Sequence, residues 1–184
     1  EQKIYLALVL GVILANVLMF ARVIIEVSVL NSSLLPHIFV PLGILAAITL
    51  IFSYFIWKKA KKVKGKVHLK SPFTIIPALK FGLIFTAVLA LAKLADIYLS
   101  SKGVYLVSII SGIADVDAIT VSLSQLGGQS IALETARNGI IMAILTNVAV
   151  KGGISYFMGG KEFGRIIATF YAVLIALGAL LLFL

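Results

Sequence analysis

Long apolar stretches separated by short polar ones set the pattern of this chain. The first, residues 4–30, exceeds the roughly 20 residues that a helix rising about 1.5 Å per residue needs to cross a bilayer. Asn16 falls near its middle. Arg22 and Glu26, four apart near its end, share a face, and the plain expectation is an ion pair snorkelling to the interface. Asn31, Ser32, Ser33 and Pro36 mark a turn. A second span, 39–57, closes on Tyr54 and Trp57, aromatic residues suited to headgroup depth. Ser71 and Pro72 open a third, as N-cap and first helical residue, and it runs to about residue 99. Residues 100–103 turn the chain into a fourth helix, and 125–130 form a glycine-rich turn. A fifth span covers 131–158, and 166–184 is an almost featureless sixth facing lipid.

The fourth segment breaks the apolar rule. Residues 108–124, SIISGIADVDAITVSLS, place two aspartates where the flanks are fit for lipid. Carboxylates at that depth face protein or water and are paired. On a regular helix of about 100° per residue, Ser108, Ser111, Asp115 and Ser122 share one stripe, with Asp117, Thr120 and Ser124 nearly opposite. Such a helix needs protein, water or a second subunit on both sides, which places it centrally or at a dimer interface. Three geometries stay open. In one the segment is re-entrant, which inverts the direction of every later span, and the basic Lys161 and Arg165, left outside by an alternating order, hint at it. In the other two it crosses. The helix is broken near Ser111 and Gly112, as in transporters that hold ions at mid-membrane, or it is continuous with its hydroxyls bonded one turn back.

A chain of 184 residues that is 61% hydrophobic is an integral membrane protein, and its lack of cysteine excludes disulfides and thiolate chemistry. The net charge of +9 comes largely from residues 58–70, which carry seven lysines and no acid. That run suits an anionic membrane surface rather than nucleic acid, and the positive-inside rule makes it cytoplasmic. The expectation is a multi-pass protein of a prokaryotic plasma membrane, with six spans and both ends inside. His37 and His68 fall at its surfaces.

Inside the spans five cations face five carboxylates. Local spacing pairs Arg22 with Glu26, Lys93 with Asp96, and Arg137 with Glu134. Lys80 and Lys151 remain as charge partners for Asp115 and Asp117, with Lys151 expected on Asp117. A weak repeat, Gly11–Arg22–Glu26 against Gly82–Lys93–Asp96, with Gly139–Lys151 partly matching, suggests parallel helical hairpins.

The string from Ser111 to Thr120, SGIADVDAIT, together with Ser71-Pro72-Phe73 and the run Pro77 to Gly82, resembles a prokaryotic membrane domain, the domain-of-unknown-function family 4010. The resemblance extends over essentially the whole chain. It implies one transmembrane domain, 1–184, forming the C-terminal part of a longer protein behind an MgtC/SapB-type module. It implies no activity.

The fold expected is therefore all-α, a six-helix transmembrane bundle with a fourth helix open to a break. Two functions from different classes remain open. In one, a transporter or channel-like protein binds a cation or proton at Asp115 and Asp117, with Asn16 and Asn147 as amide-oxygen ligands and Ser111 and Thr120 beside them. In the other, the charges are permanent pairs in a membrane scaffold or regulator. No residue pattern specifies a particular metal, and no cofactor is expected. An enzyme is disfavoured: no serine has a histidine at its depth, and the two aspartates point apart on a regular helix. The twice-polar helix favours a homodimer.

Overall fold

The computed structural model of the chain describes residues 4–60 and 75–183, with side chains left out at most positions from 75 to 99. The described residues are almost entirely helical. The helices are α1 (Ile4–Leu30), α2 (Leu35–Ala60), α3 (Ile75–Ala114), α4 (Asp117–Leu126), α5 (Leu133–Met158) and α6 (Lys161–Leu181). Among the described residues α1, α2, α5 and α6 are long and apolar enough to cross a membrane. Their backbone polar groups are satisfied within each helix, which lipid demands.

Turn chemistry, ring stacking and close glycine contacts hold these spans together. The α1–α2 corner is an Asn turn, in which Asn31 Oδ1 accepts the backbone N–H of Ser33 and of Leu34, both at 3.1 Å. Phe52 of α2 stacks on Phe170 of α6 at 4.3 Å between ring centroids. α5 and α6 form an antiparallel hairpin in which Gly164 lies against the Tyr156 backbone, Gly152 against the Tyr171 ring and Gly178 against the Leu145 side chain. Small residues at such crossings let helices approach where lipid supplies no hydrophobic drive. Gly160, at the hairpin turn, has φ 78, a left-handed conformation that suits glycine.

The expected fourth span does not cross. Within the turn expected at 100–103, α3 is interrupted at Ser100, where φ is 53 and ψ −151, so that it is two helices joined at that point. It continues to Ala114, and the chain then breaks at Asp115 and Val116. α4 returns alongside. Gly139 of α5 is flanked by Val104 and Ser108 of α3 and by Leu123 of α4. A continuous helix would hold Ser108 and Leu123 about 22 Å apart. At the base, the Ser101 and Thr135 hydroxyls lie 3.0 Å apart. At the far end, Asn147 Nδ2 donates to the Gly112 carbonyl at 3.0 Å. The aspartates thus sit at the tip of a re-entrant hairpin.

This corrects the alternating order of spans. With the hairpin re-entrant, α5 and α6 run opposite to expectation, and Arg165 comes beside Phe55 at the Lys58–Lys59 end of α2. The break is also displaced from Ser111 and Gly112. Gly112 remains helical and serves as a packing contact instead, since its Cα faces the Ala143 backbone so closely that a Cβ would collide with it.

The core is one buried cluster that takes in Phe20 and Val23 of α1, Ile119 and Leu123 of α4, and Ile140 and Ile144 of α5, and extends into α2 and α6. α4 is buried on almost every side, with Ala118, Ile119, Thr120, Ser122, Leu123, Ser124 and Leu126 all enclosed. Its central placement accords with the sequence expectation.

Candidate functional site at the tip of the re-entrant hairpin

Asp115 ends one helix and caps the next. Its backbone N–H donates to the Ser111 carbonyl at 2.8 Å, completing α3, while its Oδ2 accepts the backbone N–H of Ala118 at 3.2 Å. A carboxylate beside the first N–H groups of a helix satisfies orphan donors and meets the positive end of the helix dipole. Asp117 stands in the first turn of α4, and its Oδ1 pairs with Arg22 Nη2 at 2.5 Å. Arg22 also lies 4.0 Å, Nε to Oε1, from Glu26.

A second polar group faces this one from α5. Lys151 Nζ donates to Asn16 Oδ1 at 3.3 Å and approaches Met19 Sδ at 3.6 Å. Asn16 is fully enclosed at the midpoint of α1, and its Nδ2 donates to the Tyr171 hydroxyl at 2.6 Å. Tyr171 in turn donates to the Val12 carbonyl at 3.3 Å. Between the groups lies a cavity of about 350 Å³ lined by Ala15, Leu18, Met19, Arg22, Ala114, Asp115, Val116, Asn147 and Lys151. It has room for several waters, each occupying about 30 Å³ in the liquid.

The structure brings Asp115, Asp117, Asn16, Asn147 and Lys151 to one region, but their pairing differs from the expected one. Asp117 takes Arg22 as its partner, and Lys151 turns to Asn16. The local pairing assumed for Arg22 and Glu26 is the longer contact. Arg137 likewise ignores Glu134 and donates from Nη2 to the Leu181 carbonyl at 2.5 Å, at the negative end of α6. The side chains of Lys80, Lys93 and Asp96 lie outside the described residues.

The hydroxyls divide into two kinds. Ser108 and Ser122 donate to the carbonyls of Val104 and Ala118, one turn back, at 2.9 and 2.7 Å. Ser122 therefore does not join Asp115, because the break removes the stripe that linked them. Ser111 Oγ reaches only the main-chain carbonyl of Asp115, at 3.5 Å. Thr120 is fully enclosed, and its Oγ1 has no hydrogen-bond partner among the described residues.

Two participants escaped the sequence reading. Arg22 was concealed by a satisfactory partner one turn away. Tyr171 sat in a span expected to face lipid, whereas it is 1% exposed. The signal that could have found it was the seven-residue spacing of Gly164, Tyr171 and Gly178, which marks one packed face of α6.

The profile of the family described as "Domain of unknown function (DUF4010)" matches residues 1–159. The chain belongs to this family. The match takes in every residue lining the cavity and stops before α6, so Tyr171 lies beyond it. An uncharacterized protein of Aquifex aeolicus (strain VF5) is 30% identical over 156 residues, which cover 83% of this chain and 68% of the relative. No solved structure matches.

Proposed function

We propose that this family member is a membrane transport protein that binds a cation or a proton at the tip of the re-entrant hairpin. The observation that carries the reading is a charge deficit. Among the described residues around the tip, Asp115, Asp117 and Glu26 face Arg22 and Lys151, three carboxylates against two cations. Low-dielectric surroundings leave a net charge uncompensated unless something neutralises it, and one proton or one monovalent cation does so. The adjoining cavity offers that species water and access.

A second reading has its own support. The 2.5 Å contact between Arg22 and Asp117 suits a permanent structural pair in a scaffold or regulator. Proteoliposomes carrying a trapped pH indicator, or a trapped sodium or potassium indicator, separate the two. Transport predicts flux that Asp117→Asn and Asp115→Asn abolish; a scaffold predicts no flux in the parent protein.

The reading places the chain in a prokaryotic plasma membrane. Lys58, Lys59, Lys161 and Arg165 share one end of the bundle, which the positive-inside rule makes cytoplasmic. A homodimer belongs to the same proposal. The Arg22 side chain is 55% exposed on a spanning helix, where lipid is a poor partner for a charge, and a twofold copy would cover it. A monodisperse monomer in lipid nanodiscs would remove that part of the proposal.

A further inference from the structure

We infer that protons reach Asp117 from the Asn31 end of the bundle along the α1–α4 seam, passed by Ser124, Thr120 and Glu26. This rests on the transport reading and names both the transported species and its route.

Buried polar atoms without partners are uncommon in folded proteins and call for an explanation. Six such side-chain atoms occur among the described residues: Glu26 Oε2, Ser53 Oγ, Asp117 Oδ1, Thr120 Oγ1, Ser124 Oγ and Asn138 Oδ1. Asp117 Oδ1 is met by the Arg22 ion pair. Four of the six belong to α1 and α4, so they are concentrated on one helix pair rather than scattered.

Their order follows from the register. α1 and α4 run parallel, since Arg22 meets Asp117 while Asn31 Nδ2 donates to the carbonyls of Ser124 and Gly127 at 3.0 and 2.8 Å. Glu26 occupies the stretch of α1 between those contacts, and it interacts electrostatically with Asp117, Arg22 and Asp115. On α4, Asp117, Thr120 and Ser124 stand at i, i+3 and i+7, one face of the helix. Ser122, off that face, spends its hydroxyl on the Ala118 carbonyl. Thr120 and Ser124 do not make the equivalent bond and are 0% and 1% exposed.

Both ends of the line meet a cavity. Ser124 lines one of about 380 Å³ with Asn31, Ser32, Ser33, Gly127, Gly128 and Gln129. Arg22, the partner of Asp117, lines the other, of about 350 Å³. Between them the α4 face is closed, with Thr120 and Ser124 0% and 1% exposed, and a hydrated metal ion would have to part the two helices. A proton needs no such space. Each hydroxyl accepts a proton on a lone pair and releases its own to the next acceptor, directly or through a single water, and returns to its original state after rotation. Glu26 accepts the proton and yields it to Asp117. The charged groups facing that carboxylate are Arg22 and Glu26 from α1, Asp115 from the hairpin and Lys151 from α5.

The test is proton flux into proteoliposomes of the full-length protein with a trapped pH indicator, with sodium and potassium flux followed in parallel. Thr120→Val keeps the shape but removes the hydroxyl, and at least a tenfold loss of proton flux is expected. Thr120→Ser should restore the flux, which separates a lost relay from misfolding. Ser124→Ala and Glu26→Gln should each reduce proton flux, whereas Ser122→Ala should not. Proton flux unchanged in Thr120→Val and Ser124→Ala overturns the route and leaves transport standing. Metal-ion flux without proton flux also overturns it while keeping transport, and absence of all flux overturns both.

Discussion

Arg22 reaches out of α1 to the first turn of α4 and holds Asp117 at 2.5 Å, although Glu26 lies one turn away on its own helix. The closer carboxylate belongs to a distant segment of the sequence. This pair ties the tip of the hairpin to the first span.

Breaking it should therefore be costly. Arg22→Ala leaves Asp117, whose side chain is 15% exposed, without its cation; because the Arg22 side chain is 55% exposed, the cost should fall short of the about 3 to 5 kcal/mol of a fully buried pair. The double replacement, Arg22→Ala with Asp117→Ala, should cost less than the sum of the single changes. The corresponding cycle for Asp117 and Lys151, which do not pair directly, should be close to additive. Reversible unfolding in bicelles measures both cycles.

The re-entrant hairpin makes a topological prediction that the cysteine-free chain makes easy to check. Lys59→Cys and Lys161→Cys should react with an impermeant thiol reagent from the same side of the membrane. Gln129→Cys should react from the other. Labelling of positions 59 and 161 from opposite sides would restore the alternating six-span order and dismiss the hairpin.

Asn31 serves two elements with one side chain, turning the α1–α2 corner through its oxygen and holding the end of α4 through its nitrogen. Asn31→Asp preserves the turn and loses both donors to α4. Asn31→Ala loses everything. At about 0.5 to 1.5 kcal/mol net per hydrogen bond, the aspartate variant should be destabilised by roughly 1 to 3 kcal/mol and the alanine variant by more. Equal stabilities would mean that the contacts to α4 contribute nothing.

Gly112 should tolerate no side chain. A Cβ there meets the Ala143 backbone, which cannot rotate away. Gly112→Ala should cost about 1 to 3 kcal/mol and disturb the contact of Asn147 with the Gly112 carbonyl, as reversible unfolding of the variant would show. Gly153→Ala, at a position with no neighbour within 4 Å, is the matching control and should be harmless.

Much of the fold was legible because lipid imposes simple rules. Apolar length found α1, α2, α5 and α6, and the Asn31 turn declared itself. Cost of burial likewise singled out Asp115 and Asp117. Direction was less legible, since residues 108–124 satisfy the length of a span whether they cross or fold back. Lys161 and Arg165 supplied the missing hint, as basic residues that an alternating order would leave outside. Pairing was only partly legible: Arg22 does meet Glu26, at 4.0 Å, but Asp117 lies closer. Helical spacing guarantees that Arg22 and Glu26 can meet, but says nothing of a third group that competes from another helix.

Asn31 also bears on how the chain is made. α4 has only ten residues, five of them polar, and no hydrophobic span of its own to hold it in a membrane. Its last carbonyls need the donors that Asn31 provides. Synthesis runs from the N-terminus, so the corner between α1 and α2 exists before α4 emerges, and α5 follows to enclose it. The least membrane-worthy segment is thus born between a seat already built and a wall about to arrive.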